Sequence, residues 1–340
     1  MGITGDNELL DVLEFGYYYL SPNFGGKKPL SELAGSLKAT AGTAPIYIYA
    51  HMKEEAGNDY QSLTLDGIGI TVYATQDTVE NDSFDDQYDK DAPFPTPVDA
   101  TVTSAEDIKA AMEKGKAAGA PVKVTLSQDV SGVDLNGGNV TVDVADKKLT
   151  LENNVISEGE VTINGNAESK LGNAKVTVEG AGKLTMGIGL TGANGYQWGS
   201  FTVKDGGTLN VTGGTNVNVG SEGKLITATG ENTTVNISGG TFESSGSQFK
   251  SVEAQNGAVV NVTGGTFSSS GAKSVVFYAN GGTVIISDCK VWVNGNIFQT
   301  ENNGQIVVTG GTFSQNPSAY VDLNNYNVIR SGSDYTVTAK

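Results

Sequence analysis

Val235-Asn236-Ile237-Ser238-Gly239-Gly240-Thr241-Phe242 returns as Val260-Asn261-Val262-Thr263-Gly264-Gly265-Thr266-Phe267, and again as Ile306-Val307-Val308-Thr309-Gly310-Gly311-Thr312-Phe313. A shorter copy, Leu209-Asn210-Val211-Thr212-Gly213-Gly214-Thr215, precedes these. A degenerate one, Val284-Ile285-Ile286-Ser287-Asp288-Cys289-Lys290-Val291, stands between the last two. The first Gly of each pair, or its equivalent, falls at 213, 239, 264, 288 and 310, so the steps are 26, 25, 24 and 22 residues. A period drifting within the twenties marks a solenoid in which each repeat is one coil. Three short strands and three turns fill such a coil. Stacking coils about 4.8 Å apart pairs each strand with its copies above and below.

Alternation then assigns the side chains. Val235/Ile237, Val260/Val262, Val284/Ile286 and Ile306/Val308 point inward as aliphatic ladders, and Asn236 and Asn261 point out. Phe242, Phe267 and Phe313 form an aromatic column with a gap at Val291. Each buried large side chain stabilises by about 1.5–3 kcal/mol, against the entropy of ordering the coil. The Gly-Gly pair serves the corner, where φ turns positive and a side chain would clash. The Leu-x-x-Leu-x-Leu pattern of leucine-rich repeats and the Gly-Gly-x-Gly-x-Asp tandems of calcium-binding rolls are both missing. Asn-Gly recurs at 136–137, 164–165, 194–195, 256–257, 280–281, 294–295 and 303–304. Singly it signals a hairpin, but inside the repeat it is a turn between coil sides. Val140–Val144, Leu149–Leu151, Val161–Ile163, Lys183–Met186 and Phe201–Val203 read as strands of less regular coils. The fold class is therefore all-β: a right-handed parallel β-helix of three sheets, preceded by a capping helix and a partial antiparallel β-sandwich.

The remainder of the chain divides around a linker. Residues 1–90 are aromatic and irregular, with alternating strand signals at Pro45–His51 and Gly67–Ala74. Leu30–Leu37 reads as a short helix. The acidic run over residues 80–91 meets Pro93-Phe94-Pro95-Thr96-Pro97, so residues 91–101 are expected to be a stiff extended linker. The β-helix is assigned to 102–340. Ser104-Ala105-Glu106-Asp107 opens a helix over 104–118 with a capping-box pattern, and Gly115 or Gly119 ends it. The helix covers one open end of the solenoid, and residues 314–340 cap the other.

Composition narrows the partners. The 340 residues include 46 Gly and only 8 Pro, without the Gly-X-Y period of collagen. A net charge of −17 disfavours nucleic acid and anionic membrane surfaces. No apolar run approaches the roughly 18 residues of a membrane span. The one thiol, Cys289, cannot make an internal disulfide and reads as a small buried hydrophobe. Met1-Gly2-Ile3-Thr4-Gly5-Asp6-Asn7-Glu8 is acidic and lacks a signal-peptide layout. The chain is thus expected either to stay in the cytoplasm or to carry its export signal upstream.

Two resemblances bear on this. His51-Met52-Lys53-Glu54-Glu55-Ala56-Gly57-Asn58-Asp59-Tyr60-Gln61, then Val72-Tyr73-Ala74-Thr75-Gln76 and Asp82-Ser83-Phe84-Asp85-Asp86-Gln87-Tyr88-Asp89, resembles the C-terminal half of the TasA/camelysin-like proteins of Gram-positive bacteria. The resemblance covers roughly residues 1–90. It implies a jelly-roll-like sandwich, export by a specialised signal peptidase and a place in extracellular matrix fibres; camelysin itself is classed as a metallopeptidase. The family's leader and first strands have no counterpart, as in a truncated gene product. The Ser/Thr-Gly-Gly-Thr-Phe repeats and the Val102–Gly119 lead-in resemble pectate-lyase-like β-helical surface proteins of gut Firmicutes. That implies architecture rather than activity, because the fold hosts lyases, hydrolases and adhesins.

Chemistry finds little purchase in the residues. A β-helix lyase needs a strong base and calcium carboxylates, and Arg330 is the only arginine. A hydrolase needs paired carboxylates. Asp205, Glu222, Glu231, Glu243, Glu253, Asp288 and Glu301 share no repeat position. His51 is the only histidine, one short of a His-Glu-x-x-His zinc site. Asp82, Asp85, Asp86 and Asp89 are candidate calcium ligands, or else a solvated charge run. Tyr196, Trp198 and Trp292 are candidates for stacking on sugar rings, or else packing residues. The functional expectation is a non-enzymatic structural or adhesive protein of the cell surface or extracellular matrix. Its expected partners are cell-wall or host glycans and matrix proteins, with self-association through the sandwich. A polysaccharide lyase or hydrolase and a phage fibre are the alternatives.

Overall fold

A computed structural model describes residues 2–4, 12–19, 28–29, 46–53, 69–71 and 97–340, the last without 167–168, 173–174, 191–199, 219–221 and 245–247. The chain divides into two compact units, Met1–Phe94 and Pro95–Lys340. In the first unit, Leu13–Tyr19 pairs antiparallel with Ile46–Met52 over seven residues and with Lys28–Pro29 on its other edge. Gly2–Thr4 pairs antiparallel with Gly69–Thr71. Leu30–Leu37 lies outside the described residues.

The second unit is a parallel β-solenoid of about eight turns. Its first sheet stacks ten strands, from Val98–Val102 through Val122–Leu126 to Gln305–Val308, all parallel. The second sheet has a four-stranded segment, Val130–Val133 to Gly189–Leu190, then a seven-stranded one that starts at Thr215–Asn218. The third sheet stacks seven parallel strands, Val155–Ile156 to Asn296–Glu301.

The repeat sets the register. Leu209, Val235, Val260, Val284 and Ile306 are successive partners, as are Val211, Ile237, Val262, Ile286 and Val308. All ten are buried. On the outer face Asn261 Nδ2 donates to Asn236 Oδ1 at 2.9 Å, and Asn236 Nδ2 to Asn210 Oδ1 at 2.9 Å. This ladder satisfies amides on an otherwise solvated sheet. Phe242 and Phe267 stack at 4.6 Å with planes 7° apart. Val291 follows in register and Phe313 comes after it. The gap at Val291 is bypassed from the third sheet: Phe277 meets Phe267 edge-on at 5.0 Å, Phe298 lies 6.2 Å further, and Phe313 is 5.5 Å beyond that.

The Gly-Gly corners divide the work between their two residues. A Cβ on Gly264 would stand 2.2 Å from the Ser238 carbonyl oxygen in the preceding coil. Gly265 has φ +98°, where side chains are strained. Asn256 and Gly257 both have positive φ, as in a hairpin turn, yet the strands they join lie in different sheets.

Helix α1, Ala105–Ala118, covers the N-terminal end. Ser104 Oγ accepts from the Asp107 amide and the Asp107 carboxylate accepts from the Ser104 amide, both at 3.1 Å. Hydrogen bonds from Thr103 and Ser104 hold the Asp107 carboxyl below its ordinary range. Gly119 ends the helix in the left-handed region. Gly115 lies inside it, where a Cβ would strike Val122. The linker reading is corrected at one point. Val98–Val102 is the solenoid's first strand, so the β-helix begins before residue 102. Val98 and Val102 are buried beneath α1, and that burial outweighs the prolines just upstream. At the far end the 3-10 turn Ser318–Tyr320 brings Tyr320 to 4.8 Å from Phe298. The hairpin Tyr326–Ser331/Asp334–Ala339 then extends the second sheet antiparallel from Gly311–Phe313.

Candidate functional site

Two polar constellations stand out, and they differ in whether their groups are already satisfied. The first lies on the third sheet. Glu253 alternates with inward Val252 and Ala254, yet it is only 1% exposed, the one buried charged side chain among the described residues. Ser251 and Val252 are both buried, which breaks the in-out alternation of the strand. With the alternation broken, Lys250 and Glu253, three residues apart, converge at 3.9 Å. Lys224 in the preceding coil pairs with Glu253 Oε2 at 2.5 Å, and Gln255 Nε2 donates to Oε1 at 2.6 Å. One carboxylate thus faces two ammonium groups and an amide.

In the next coil Tyr278 pairs in register with Glu253 and donates its hydroxyl to Glu301 Oε2 at 2.5 Å. Lys250 Nζ lies 3.6 Å from the centre of the Tyr278 ring. Burial, then the bond to Glu301, pushes the Tyr278 phenol up to about 12. The bonds from Tyr278 and Gln299 lower the Glu301 carboxyl. A phenol so protected stays protonated at neutral pH and makes a poor base. Tyr278 and Glu301 thus hold each other, the phenol protonated and the carboxylate ionised.

The second constellation is open. The Gly-Gly-Thr corners of successive coils leave a groove of about 420 Å³ between the first and second sheets. Gly213-Gly214-Thr215, Gly239-Gly240-Thr241 and Gly264-Gly265-Thr266 line it, and Asp288-Cys289-Lys290 closes one end. Its floor is backbone because glycine is required there, and threonines follow on the second-sheet side. The degenerate repeat alone brings charge into it. Cys289 is buried, and desolvation followed by the Asp288 charge pushes its thiol well up, so it is no nucleophile.

Trp292 lies one outward position along the strand from Lys290, which lines the groove, and is not itself part of that lining. Within Lys290–Val293, Val291 is buried, so Lys290 and Trp292 project outward together, about 6.8 Å apart along the strand. Trp292 is 41% exposed, and its register neighbour on the second sheet is Ser268, itself paired with Glu243. Of the residues read from sequence as sugar-stacking, Trp292 is the one described. Tyr196 and Trp198 lie outside the described residues, as do Asp82, Asp85, Asp86 and Asp89. His51 Nε2 sits 3.1 Å from Glu14 Oε2 across an exposed strand pair. Among the described residues no group of three or more His, Cys, Asp or Glu side chains converges on a metal position. Among the described residues no helix is long and apolar enough to cross a membrane.

Sequence reasoning missed the groove and the Glu253 cluster. A signal for the groove was present, since Asp288-Cys289-Lys290 replaces Gly-Gly-Thr in one repeat only. Glu253 carries no such mark. Comparison with known proteins finds no family model, no curated protein and no solved structure that matches the chain.

Proposed function

We propose that this chain is a non-enzymatic structural and adhesive protein of the cell surface or extracellular matrix, with the solenoid as a stiff spacer that binds glycans along one corner. The observation that carries the reading is the exposed Trp292, one outward position from Lys290 in the lining of a Gly-floored groove that crosses several coils. A groove running along the stack suits an extended polymer. An exposed indole offers the apolar face of a sugar ring a partner, and Lys290, Asp288 and Thr266 offer hydrogen bonds to hydroxyl groups. The Glu253 cluster supports the non-enzymatic half of the proposal, because its carboxylates are already engaged by Lys224, Lys250, Gln255 and Tyr278. Ten rungs in the first sheet span roughly 43 Å, nine steps of about 4.8 Å. The resemblance to β-helical surface proteins and to TasA/camelysin-like matrix proteins agrees with this reading.

The test is binding and turnover on the same ligands. Pectins, cell-wall polysaccharides and host glycans are titrated against the full chain and its variants, following the heat of binding by isothermal titration calorimetry. Binding is expected, weakened about tenfold or more by Trp292→Ala, without release of reducing or unsaturated ends. Product formation abolished by Glu253→Gln would overturn the proposal. So would glycan binding that survives both Trp292→Ala and Lys290→Ala unchanged.

A further inference from the structure

The two ends of the solenoid are finished differently. Helix α1 closes the N-terminal end, whereas at the C-terminal end Tyr326–Ser331 is the outermost strand of the second sheet. Gly332-Ser333 forms a two-residue turn, so Ser331 and Asp334 are a hydrogen-bonded pair. The Lys340 amide bonded to the Asn325 carbonyl at 3.1 Å belongs to the same set. By alternation the peptide groups of Asn327, Ile329 and Ser331 turn toward Asp334–Ala339. Those of Tyr326, Val328 and Arg330 turn away from the sheet. The Tyr326 amide is taken by the Asp322 carbonyl at 3.0 Å. The strand contains no proline and no lysine, its pairing has no register shift, and Ile329 on its outer face is 53% exposed. Among the described residues no strand pairs with its other side, and such an edge is a template for another strand.

We propose that a second copy of this chain pairs with this edge, antiparallel across a twofold axis, joining two solenoids end to end. The charge distribution favours this end. Residues 314–340 carry Asp322 and Asp334 against Arg330 and Lys340, a net charge of zero in a chain of −17. Two acidic molecules thus meet where each is balanced.

The register follows from the strand itself. Twofold pairing that keeps like faces together and centres on the three outward residues places Val328 opposite the second copy's Val328, with Tyr326 contributing its carbonyl alone because Asp322 holds its amide. Arg330 then lies opposite Tyr326, a favourable cation–aromatic neighbour. Sliding the strands until Arg330 faces its own counterpart opposes like charges. The inference goes beyond the glycan-binding reading and does not depend on it.

Light scattering on the full chain over a concentration series tests it, and a dimer is expected. Val328→Pro removes an outward amide donor and leaves the bonds to Asp334–Ala339 in place, so it should give a folded monomer, with melting lowered only by the lost contact of the Val328 side chain with the core. A spin label on Ile329→Cys reports independently, because Cys289 is 2% exposed and stays unlabelled. In the paired register the two labelled Cα atoms lie about 8 Å apart, close enough for strong dipolar coupling. The label decides the matter if Val328→Pro fails to fold. A monomer at every concentration, a folded Val328→Pro protein that still dimerises, or an uncoupled labelled dimer would each refute the pairing.

Discussion

Replacing Phe267 by alanine tests the interior of the coil stack where the aromatic rings of two sheets meet. The side chain is fully buried. It stacks on Phe242 at 4.6 Å and meets Phe277 edge-on at 5.0 Å, so it links the second sheet to the third. Truncating a buried Phe to Ala costs about 3–5 kcal/mol through lost transfer energy and the cavity left behind. Each aromatic pair adds about 0.5–1.5 kcal/mol beyond area. In-register strands above and below Phe267 leave little room for collapse, so the upper half of the range applies, about 4–5 kcal/mol. Solenoid stability is approximately a sum of coil and nearest-neighbour terms, so the loss falls on the interfaces of that coil. Urea unfolding followed by far-ultraviolet circular dichroism reads it. Ser268→Ala, one residue on and facing out, should stay within about 0.5 kcal/mol and serves as the control. A loss below about 1 kcal/mol for Phe267→Ala would show that the column does not carry the stack.

Two further outcomes follow from the corner and the polar cluster. Gly264→Ala drives a methyl group against the Ser238 carbonyl oxygen and strains the bonds from Thr263 to Ile237 and from Thr266 to Gly240. It should lower stability by about 2–4 kcal/mol in the same urea assay, and a neutral result would mean the rungs can part there freely. The Tyr278 phenol ordinarily titrates near 10.0 and is raised to about 12 in the folded chain, so the unfolded chain loses that proton first as pH rises. The folded state then binds more protons, and stability falls between pH 10 and about 12. Melting temperature against pH should drop less steeply for Tyr278→Phe over that window, and identical slopes would exclude the effect.

The amino-acid sequence by itself determined the coil. A period of 22–26 residues puts each residue beside its own copies, so Val235, Val260 and Val284 had to share a column and Asn236 had to lie beside Asn261. Gly264 and Gly265 were legible as a corner for the same reason. The capping box at Ser104 and Asp107 is local, within one helical turn, and was equally plain. Trp292 could be singled out as an aromatic, though not placed one outward position from the lining of a groove.

Tertiary structure decided what breaks the repeat. The run of buried residues Ser251-Val252-Glu253-Ala254 breaks the alternation of its strand, and no spacing of residues encodes it. Phe277 and Phe298 fill the space left at Val291 from a different side of the coil, a relation invisible to a pattern read along one strand. Val98–Val102 is a strand because α1 and Val122–Leu126 bury it, despite the prolines before it. The closing hairpin reverses direction after Phe313, and its second strand pairs antiparallel with the last parallel rung. Periodic contacts repeat in sequence and can be counted there, whereas these aperiodic ones exist only once the coils have stacked.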